Sequence, residues 1–403
     1  MLRVKNAKKS LLTLSILVIG GVIFVCFMWR YSYRGDVGEN EVEIGWILPP
    51  KYRSFSEPSE GRIWAQEEKD GPWILFDVNG TIIKSGVNAE AISKYEDSLA
   101  YFRTDAFHDG FFDLSGDVVS SFDRSGSNEQ YSFFSDGLLA TLGGNGLYGF
   151  TDMLGNWVIS PDYEEVGSFN EGLCVVTKGR VDGYINRSGD VVIDLKFKNA
   201  LPFTYGMAVV DMDPGGCGVI NKEGEWIAEP VYEASGRPGE GFLALQKDGK
   251  MGFIDSSGNI AIDFKFLGIQ PGGEIINDYC FSEGLATVFD EERGRLVIDK
   301  SGDVLFDVKE IKGKLIHPFN GGFMCAYEPE EGTTILIDRN GSEYLLPRDM
   351  RTPNSRIWSM SDGFYRFFES DFLEDSNKKS GCFVIKGIKG DGTEAERSGL
   401  APN

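Results

Sequence analysis

The sequence predicts an all-β protein: a repeat array of about eight to nine antiparallel units of three or four strands, preceded by one N-terminal transmembrane helix. Three observations support this prediction. The turn Asp/Asn-x-x-Gly recurs eight times, short runs of β-branched and aromatic residues flank it, and an uncharged apolar run precedes the first turn. A fixed period indicates a repeat array, and short strands bounded by turn residues indicate β-structure.

The first 34 residues differ in composition from the rest of the chain. The run Leu11–Met28 is uncharged, with four basic residues before it and two after it. Its length is close to that of a membrane-spanning helix, and no small-residue cleavage site follows it. We therefore expect residues 1–34 to form a cytoplasmic stub and a signal anchor, with a cleaved signal peptide as the alternative. The positive-inside rule places the N-terminus in the cytoplasm and the large domain outside.

Three further regions follow the anchor. Residues 35–52 are polar and contain Pro49-Pro50, which predicts a linker between the anchor and the repeats. Residues 53–388 carry the repeats. Residues 389–403 are rich in Gly, Ser, Glu and Pro, so we expect a disordered tail.

The chain after residue 34 is strongly acidic. The whole chain has 40 basic and 62 acidic residues, and the first 34 residues hold six basic and no acidic ones, which leaves a net charge of −28 for the remainder. Nucleic acids and anionic membrane surfaces are polyanions, so this charge disfavours both as partners. Solubility alone would also account for it.

The recurring turn has a specific physical chemistry. Asp or Asn at its first position accepts hydrogen bonds from backbone N–H groups, and Gly at its fourth position takes positive φ without a Cβ clash. The eight turns run from Asp77 to Gly80, Asp113 to Gly116, Asp152 to Gly155, Asn186 to Gly189, Asn221 to Gly224, Asp255 to Gly258, Asp299 to Gly302 and Asp338 to Gly341. Successive glycines are 34 to 44 residues apart. Such a turn connects two strands of a hairpin, so we expect these residues to be structural.

The units resemble the WG repeat of bacterial proteins. Its pattern is an aromatic residue with Glu-Gly-Leu-Ala, then Trp-Gly-Tyr-Ile-Asp-x-x-Gly, then an apolar strand and Pro-x-Tyr, and residues 171–193 and 283–306 match it well. The tryptophan of the pattern is mostly replaced, by Asp109, Tyr148, Asp182, Cys217 and Met251. The resemblance therefore rests on the period and the turn, and it implies an all-β repeat domain without implying a ligand.

Two architectures fit such an array. Three or four short strands per unit match a propeller blade, and the two chain ends would supply a ninth unit that clasps the ring. The alternative is an open β-solenoid or superhelix, in which the atypical first and ninth units would be caps. The propeller is favoured because closure removes exposed sheet edges.

No cofactor, metal or catalytic motif stands out. Strings such as Asp113-Leu114-Ser115-Gly116-Asp117 offer at most two carboxylates each, whereas Ca²⁺ takes six to eight oxygen ligands. The glycines of residues 144–149 have dinucleotide-site spacing, but a hairpin turn follows them instead of a helix. Neither His108 nor His317 has a nucleophile motif nearby in sequence. We therefore predict no cofactor, no metal and no catalytic residue.

Aromatic residues and cysteines are expected mainly in the core. A ligand-stacking surface would need several tryptophans exposed on one face. The candidates are Trp64, Trp73, Trp157, Trp226 and Trp358. The five cysteines of the repeat region form no C-x-x-C motif and are expected as small core residues, with one distant disulfide left open.

The sequence favours a non-enzymatic, membrane-anchored, extracytoplasmic module for protein or cell-envelope interaction. Leu11–Met28 would provide its membrane contact, and no nucleic acid partner is expected. The alternative is an envelope carbohydrate-binding protein or a glycosidase-like enzyme, which needs two carboxyl groups about 5–10 Å apart. Functional residues are expected where the units differ, such as the loops after each Glu/Asp-Gly strand.

Overall fold

All regular elements in the described part of the chain are β-strands, which confirms the all-β prediction. The computed structural model describes residues 15–19, 22–26, 42–104, 108–123, 134–268, 279–308, 316–328, 333–347, 350, 355–360, 363–369 and 379–388. The predicted tail, residues 389–403, lies outside them. The chain divides into two compact units, Met1–Glu39 and Asn40–Asn403.

The described part of the first unit is a hairpin and not a helix. Strands β1 (Ser15–Ile19) and β2 (Val22–Cys26) pair antiparallel. The run is rich in β-branched residues, and Gly20-Gly21 between the strands is a dipeptide that two-residue hairpin turns favour. The predicted helix over Leu11–Met28 is therefore not supported. No helix among the described residues is long and apolar enough to cross a membrane.

The second unit contains nine antiparallel sheets in its described residues, all but one of them four-stranded. Sheets 1 to 3 are β4 (Ser54–Phe55), β5 (Arg62–Gln66), β6 (Trp73–Asp77), β7 (Ile82–Val87); β8 (Ala91–Glu96), β9 (Leu99–Arg103), β10 (His108–Phe112), β11 (Val118–Asp123); and β12 (Phe134–Ser135), β13 (Leu138–Leu142), β14 (Tyr148–Thr151), β15 (Trp157–Tyr163). Sheets 4 to 6 are β16 (Glu165–Asn170), β17 (Leu173–Lys178), β18 (Val181–Asn186), β19 (Val191–Phe197); β20 (Asn199–Ala200), β21 (Ala208–Asp211), β22 (Cys217–Ile220), β23 (Trp226–Tyr232); and β24 (Ala234–Ser235), β25 (Phe242–Lys247), β26 (Lys250–Asp255), β27 (Ile260–Leu267).

Sheets 7 and 8 complete the regular series, and sheet 9 combines the two ends of the unit. Sheet 7 is β28 (Leu285–Asp290), β29 (Gly294–Asp299), β30 (Val304–Asp307), and sheet 8 is β31 (Ile316–Asn320), β32 (Phe323–Glu328), β33 (Thr333–Asp338), β34 (Glu343–Leu345). Sheet 9 has the order β3 (Val42–Tyr52), β37 (Lys379–Ile388), β36 (Phe364–Glu369), β35 (Ser355–Ser359). We call the edge strand that follows each recurring turn the outer strand; β3 takes this place in sheet 9.

The sheets pack side by side and close a ring. One cluster of buried apolar side chains joins each sheet to the next, as where Phe150 of sheet 3 meets Phe169 of sheet 4 with ring centroids 4.9 Å apart. The last cluster joins sheet 9 to sheet 1 through Leu48 and Phe55. The described residues form nine such clusters for nine sheets, whereas an open row of nine has eight interfaces. The second unit is thus a nine-bladed β-propeller, which confirms the closed ring; the open array is wrong.

The predicted linker, residues 35–52, contains the strand that closes the ring. β3 pairs antiparallel with β37 near the other end of the chain. Its side chains Val42, Leu48 and Tyr52 are buried against sheets 8 and 1. The apolar residues of Val42–Tyr52 gain more from that burial than Pro49-Pro50 loses in strand pairing, so this segment is a strand and not a spacer.

In sheets 3, 4 and 6 a second glycine allows the third strand and the outer strand to approach closely. It follows the position at which the WG pattern has tryptophan. A Cβ on Gly149, Gly183 or Gly252 would lie 2.4, 2.7 or 2.8 Å from a backbone oxygen of the outer strand. The register between the two strands skips a residue at each of these glycines. The glycine is therefore required by the bulge in the outer strand.

The glycine of each recurring turn also contacts the preceding blade. All eight have φ between +75° and +86°. A Cβ on Gly80 or Gly258 would lie 2.4 or 2.3 Å from a backbone oxygen, that of Ile47 in β3 or Ile227 in β23. The other six lie against side chains of the preceding outer strand. Each turn glycine thus satisfies two conditions, a left-handed backbone and a close contact between blades.

We expect Gly258→Ala to destabilise the ring more than Gly241→Ala. Both glycines have φ of +83°, so an alanine at either costs roughly 1–2 kcal/mol of backbone strain. Nothing lies within 4 Å of a Cβ on Gly241, whereas Gly258 faces the Ile227 oxygen, which adds a clash of about 1–3 kcal/mol. Urea unfolding followed by tryptophan fluorescence measures both variants. Equal transition midpoints would show that the contact between blades is not tight.

Candidate interaction surface

The eight recurring turns use their Asp or Asn side chains to bond the backbone. In every turn one side-chain oxygen accepts N–H groups from the residues two and four positions later, at 2.8–3.1 Å. Hydrogen bonds from Asn259 and from the turn N–H groups lower the pKa of Asp255 below its ordinary value. These oxygens are therefore engaged in holding the turn.

A second set of acidic residues joins neighbouring blades. Four glutamates, each followed by a glycine, stand at positive φ in the turn between the first and second strands: Glu60, Glu171, Glu240 and Glu283. We call them the interblade glutamates. Each carboxylate accepts a backbone N–H from the equivalent turn of the next blade, from Ser98 at 3.0 Å, Gly206 at 3.1 Å, Gly284 at 2.9 Å and Gly321 at 2.6 Å. The Glu-Gly step is visible in the sequence, but the partner of its carboxylate lies in another blade.

A cation from the recurring turn of the next blade completes three of these contacts. Lys222 Nζ lies 3.0 Å from a Glu171 carboxylate oxygen, and Lys300 Nζ lies 2.9 Å from Glu240. Arg339 donates to the backbone oxygen of Glu283 at 2.7 Å. Burial acts to raise the pKa of Glu171, but hydrogen bonds from Lys222 and the Gly206 N–H outweigh it, so that pKa is lowered.

The propeller consequently has two unlike faces. One face carries both kinds of turn, and because Lys222 links a recurring turn to an interblade glutamate, these turns bind one another around the ring. We call it the turn face. The opposite face carries the loops between the second and third strands, and we call it the variable face. Its described loops are residues 67–72, 143–147, 179–180, 212–216, 248–249 and 291–293.

The variable face differs from blade to blade in length and in charge. Its described loops range from two to six residues. The exposed acidic residues of the loops in sheets 1 and 7 are Glu67, Glu68, Asp70, Glu291 and Glu292. Lys51 pairs with Glu67 at 2.5 Å, and Lys250 pairs with Glu291 at 3.3 Å. These contacts leave Glu68, Asp70 and Glu292 as exposed charges that a partner can reach.

The tryptophans predicted as a stacking surface lie in different environments. Trp64 and Trp73 are 0% and 7% exposed between sheets 1 and 2, so their rings are not available to a ligand. Trp157 and Trp226 are 42% and 36% exposed, on the outer strands of sheets 3 and 5, which are not neighbours. Trp358 lies in β35, and its side chain is outside the described part of the structure.

Trp157 and Trp226 belong to a larger set. The first two positions of the outer strands expose large apolar side chains in most blades. These are Ile82, Ile83, Val118, Val119, Trp157, Val158, Val191, Val192, Trp226, Ile260 and Leu305. The two tryptophans are therefore aromatic members of a repeated apolar position and do not form a separate pair.

The side chains of His108 and Asp109 each contact another polar side chain. His108 Nδ1 lies 2.5 Å from a carboxylate oxygen of Asp123, and both side chains are exposed. The buried Asp109 accepts the hydroxyl of Tyr101 at 2.5 Å. Among the residues that the structure describes, no group of three or more His, Cys, Asp or Glu side chains is arranged to hold a metal ion.

The interblade glutamates should make the ring sensitive to acid. A carboxylate whose pKa is lowered on folding stabilises the fold above its unfolded pKa, and that stability is lost as the pH falls through the folded value. The pKa values of Glu171 and Glu240 are both lowered from 4.5. We expect the Glu171→Gln, Glu240→Gln double variant to be less stable than wild type at pH 7, and to lose less stability between pH 7 and pH 4.

Urea midpoints at the two pH values test this expectation. Glu223→Gln is the matched control, because Glu223 is an exposed glutamate on the turn face that bonds through its backbone N–H. It should leave the wild-type pH dependence unchanged. A double variant with the wild-type pH dependence would contradict the role of the interblade carboxylates.

Comparison with solved structures gives distant likenesses. The chain is similar to BamB from Moraxella catarrhalis, at 12% identity over 86% of this chain and 99% of that one, with a TM-score of 0.41. It is similar to the computationally designed Ika8 protein at 10% identity, over 83% and 98% of the two chains, with a TM-score of 0.39. It is also similar to a catalytically inactive virginiamycin B lyase from Staphylococcus aureus, at 11% identity over 86% and 100%, with a TM-score of 0.32. At these scores the likenesses carry no argument, and the propeller assignment rests on the closed ring.

Comparison with protein families gives a specific result, although none of the curated proteins matches the chain. The family described as "WG containing repeat" matches residues 148–180, 183–213, 218–250 and 251–271. The first three matches each begin in or beside the third strand of one sheet and extend past the second strand of the next, so each sequence repeat spans an interface between blades. These matches confirm the resemblance inferred from the turns. Residues 148–271 carry WG repeats.

Proposed function

We propose that this protein is a non-enzymatic interaction module that binds a protein or cell-envelope partner through its variable face. One observation carries the proposal: the two faces of the propeller have different roles. The acidic residues that recur from unit to unit lie on the turn face and bond neighbouring turns. The variable face carries loops that differ between blades, which is where a repeat scaffold gains specificity for a partner.

The charge of the module indicates the kind of partner. The chain after residue 34 carries a net charge of −28, and exposed acidic side chains lie in the loops of sheets 1 and 7. A partner with a cationic surface is attracted to such a face, and the attraction is screened by salt. We therefore propose a basic protein surface or a cationic envelope component as the partner.

We also propose that the module is attached to a membrane and lies outside the cytoplasm. The support is the apolar and uncharged composition of the run Leu11–Met28, with more basic residues before it than after it. The second compact unit begins at Asn40, so only a short stretch of sequence separates it from the run. The attachment and the location are separate parts of the proposal, and each has its own test.

Charge reversal on the variable face should abolish partner recovery. In a pull-down from solubilised cell envelopes with the full chain as bait, we expect Glu68→Lys, Asp70→Lys to lose the partners that wild type retains, because attraction becomes repulsion. Glu223→Lys, Asp303→Lys is the matched control, with the same charge change at exposed positions of the turn face. Raising the salt concentration should mimic the first variant. Equal loss of binding in both variants would place the binding surface elsewhere.

Charged substitutions in the apolar run should release the protein from membranes. We expect the wild-type chain to stay in the membrane fraction after carbonate washing, and protease added outside intact cells to digest the propeller. Leu17→Lys, Ile23→Lys should move the chain to the soluble fraction, because each charge costs about 2.5–3.5 kcal/mol in the bilayer core. A soluble wild-type chain, or a propeller protected from external protease, would contradict the proposed attachment or location respectively.

A further inference from the structure

We propose that the ninth blade is an exchangeable strand-binding site. The edge of β37 holds β3 of its own chain in this structure, and we infer that it also accepts β3 from a second copy of the chain. The ligand class is thus an extended strand with apolar side chains on both faces. The inference concerns how copies of the protein join, and it does not depend on the proposed binding of a partner.

β3 is connected to its blade differently from the other outer strands. The outer strands of sheets 1 to 8 are each joined by a recurring turn to the strand beside them. β3 has no such turn, because its neighbour β37 lies at the other end of the unit. Arg53 links β3 to sheet 1. β3 can therefore leave sheet 9 while the other strands of sheet 9 stay in place.

β3 is more deeply buried than the other outer strands at the positions that those strands expose. Other outer strands expose large apolar residues at their first two positions, as Val191 and Val192 do. Ile47 of β3 lies against Gly80 as Ile227 lies against Gly258, so Trp46 and Ile47 are the corresponding pair, and both are half-buried. Val42, which precedes this pair, is 0% exposed. An outer strand with this much buried side chain recognises its site through side-chain packing, independently of a covalent turn.

β3 contacts two interfaces between blades at once. Val42 packs in the cluster between sheets 8 and 9, where Trp46 also meets Phe383 with ring centroids 5.5 Å apart. Leu48 and Tyr52 pack in the cluster between sheets 9 and 1. These side chains form a pattern that a second copy of β3 reproduces and that an unrelated strand does not. Selectivity for a copy of the same chain follows from this pattern.

The backbone pairing of β3 with β37 is interrupted. The register shifts at three places along the strand pair. Pro49 and Pro50 have no N–H groups to donate to a neighbouring strand. The strand is therefore held more by its side chains than by a continuous ladder of backbone hydrogen bonds, which makes release and replacement by an equivalent strand feasible.

Exchange between copies preserves the pairing of β3 with β37 and the burial of the β3 side chains, while the hinge at Arg53 opens and loses its backbone bond to the Gln66 oxygen. If two chains each give β3 to the other, both ninth blades are complete and the two rings form a reciprocal pair. A strand of the same chain has a high effective concentration, so the closed single ring predominates in dilute solution. The exchanged form should increase as the local concentration of chains increases.

A cysteine trap tests the proposal with the full chain. Leu48 and the natural Cys382 are opposite one another in the strand pair and share one buried cluster. Opposed residues of antiparallel strands are close enough for a disulfide. We expect Leu48→Cys to form an intrachain disulfide with Cys382 on mild oxidation, which locks β3 in place and verifies the geometry.

The same disulfide then tests whether β37 accepts a β3 strand from another molecule. The probe is a biotin-labelled peptide of residues 42–53 in which Leu48 is cysteine, incubated under mild oxidation with the full-length wild-type chain. We expect one peptide per chain, linked to Cys382 as mapped by mass spectrometry. The Cys382→Ser chain and the oxidised, locked Leu48→Cys chain should capture none. No capture by wild type, or capture at other cysteines to the same extent, would overturn the proposal.

Hydrogen exchange on the unmodified chain provides a second measurement that needs no variant. We expect the amides of β3 and of the β37 residues paired with it to exchange at a shared rate. That rate should be about tenfold or more faster than for β18 and β22 in blades built from continuous chain. Protection of β3 equal to that of β18 and β22 would show that the strand does not open separately, and would also overturn the proposal.

Discussion

The ring depends on one repeated contact, in which the glycine of each recurring turn lies against the outer strand of the preceding blade. The contact sets the distance between adjacent blades, because a side chain at that position would push the blades apart. It also accounts for the regular spacing of the turns, because each turn must lie beside the outer strand of the preceding blade. Gly80 makes the same kind of contact with Ile47 of β3, so the joint between sheets 9 and 1 repeats the one that the other seven recurring turns make.

Polar contacts run around the turn face in one direction. Each interblade glutamate extends from its own blade to the backbone of the next blade, and for Glu171, Glu240 and Glu283 a lysine or arginine of that next blade bonds back to the glutamate. Where the series has no glutamate, another residue can take its place: Asn320 accepts the Gly363 N–H and donates to the Phe364 oxygen between sheets 8 and 9. Apolar packing supplies most of the cohesion between blades, and these bonds fix the relative position of neighbouring turns.

Features carried by local pattern could be predicted from the sequence, and features that depend on distant partners could not. The turns, the all-β class and the propeller follow from a period that is visible in the chain. The role of β3 was missed because its partner β37 lies at the other end of the unit, while Pro49-Pro50 locally indicate a linker. A continuous apolar run such as Leu11–Met28 has no periodicity that separates a helix from a hairpin.

For the candidate surface, too, only the features that depend on local sequence could be predicted. The loops of the variable face could be identified as the places where the units differ. Burial of Trp64 and exposure of Trp157 depend on which blade lies beside each ring, and the repeat pattern does not contain that information. The partners of the interblade glutamates were missed for the same reason, because each lies in another unit.

The pairing of β3 with β37 has a consequence for how the molecule is made. β3 leaves the ribosome before every other strand of the ring, but its partner follows roughly 330 residues later. During synthesis the growing row of blades therefore has apolar surfaces at both ends, one on sheet 1 and one on the newest blade. β37 must be synthesised before β3 can be buried in sheet 9, so the nascent chain exposes an apolar strand while most of the ring is being made.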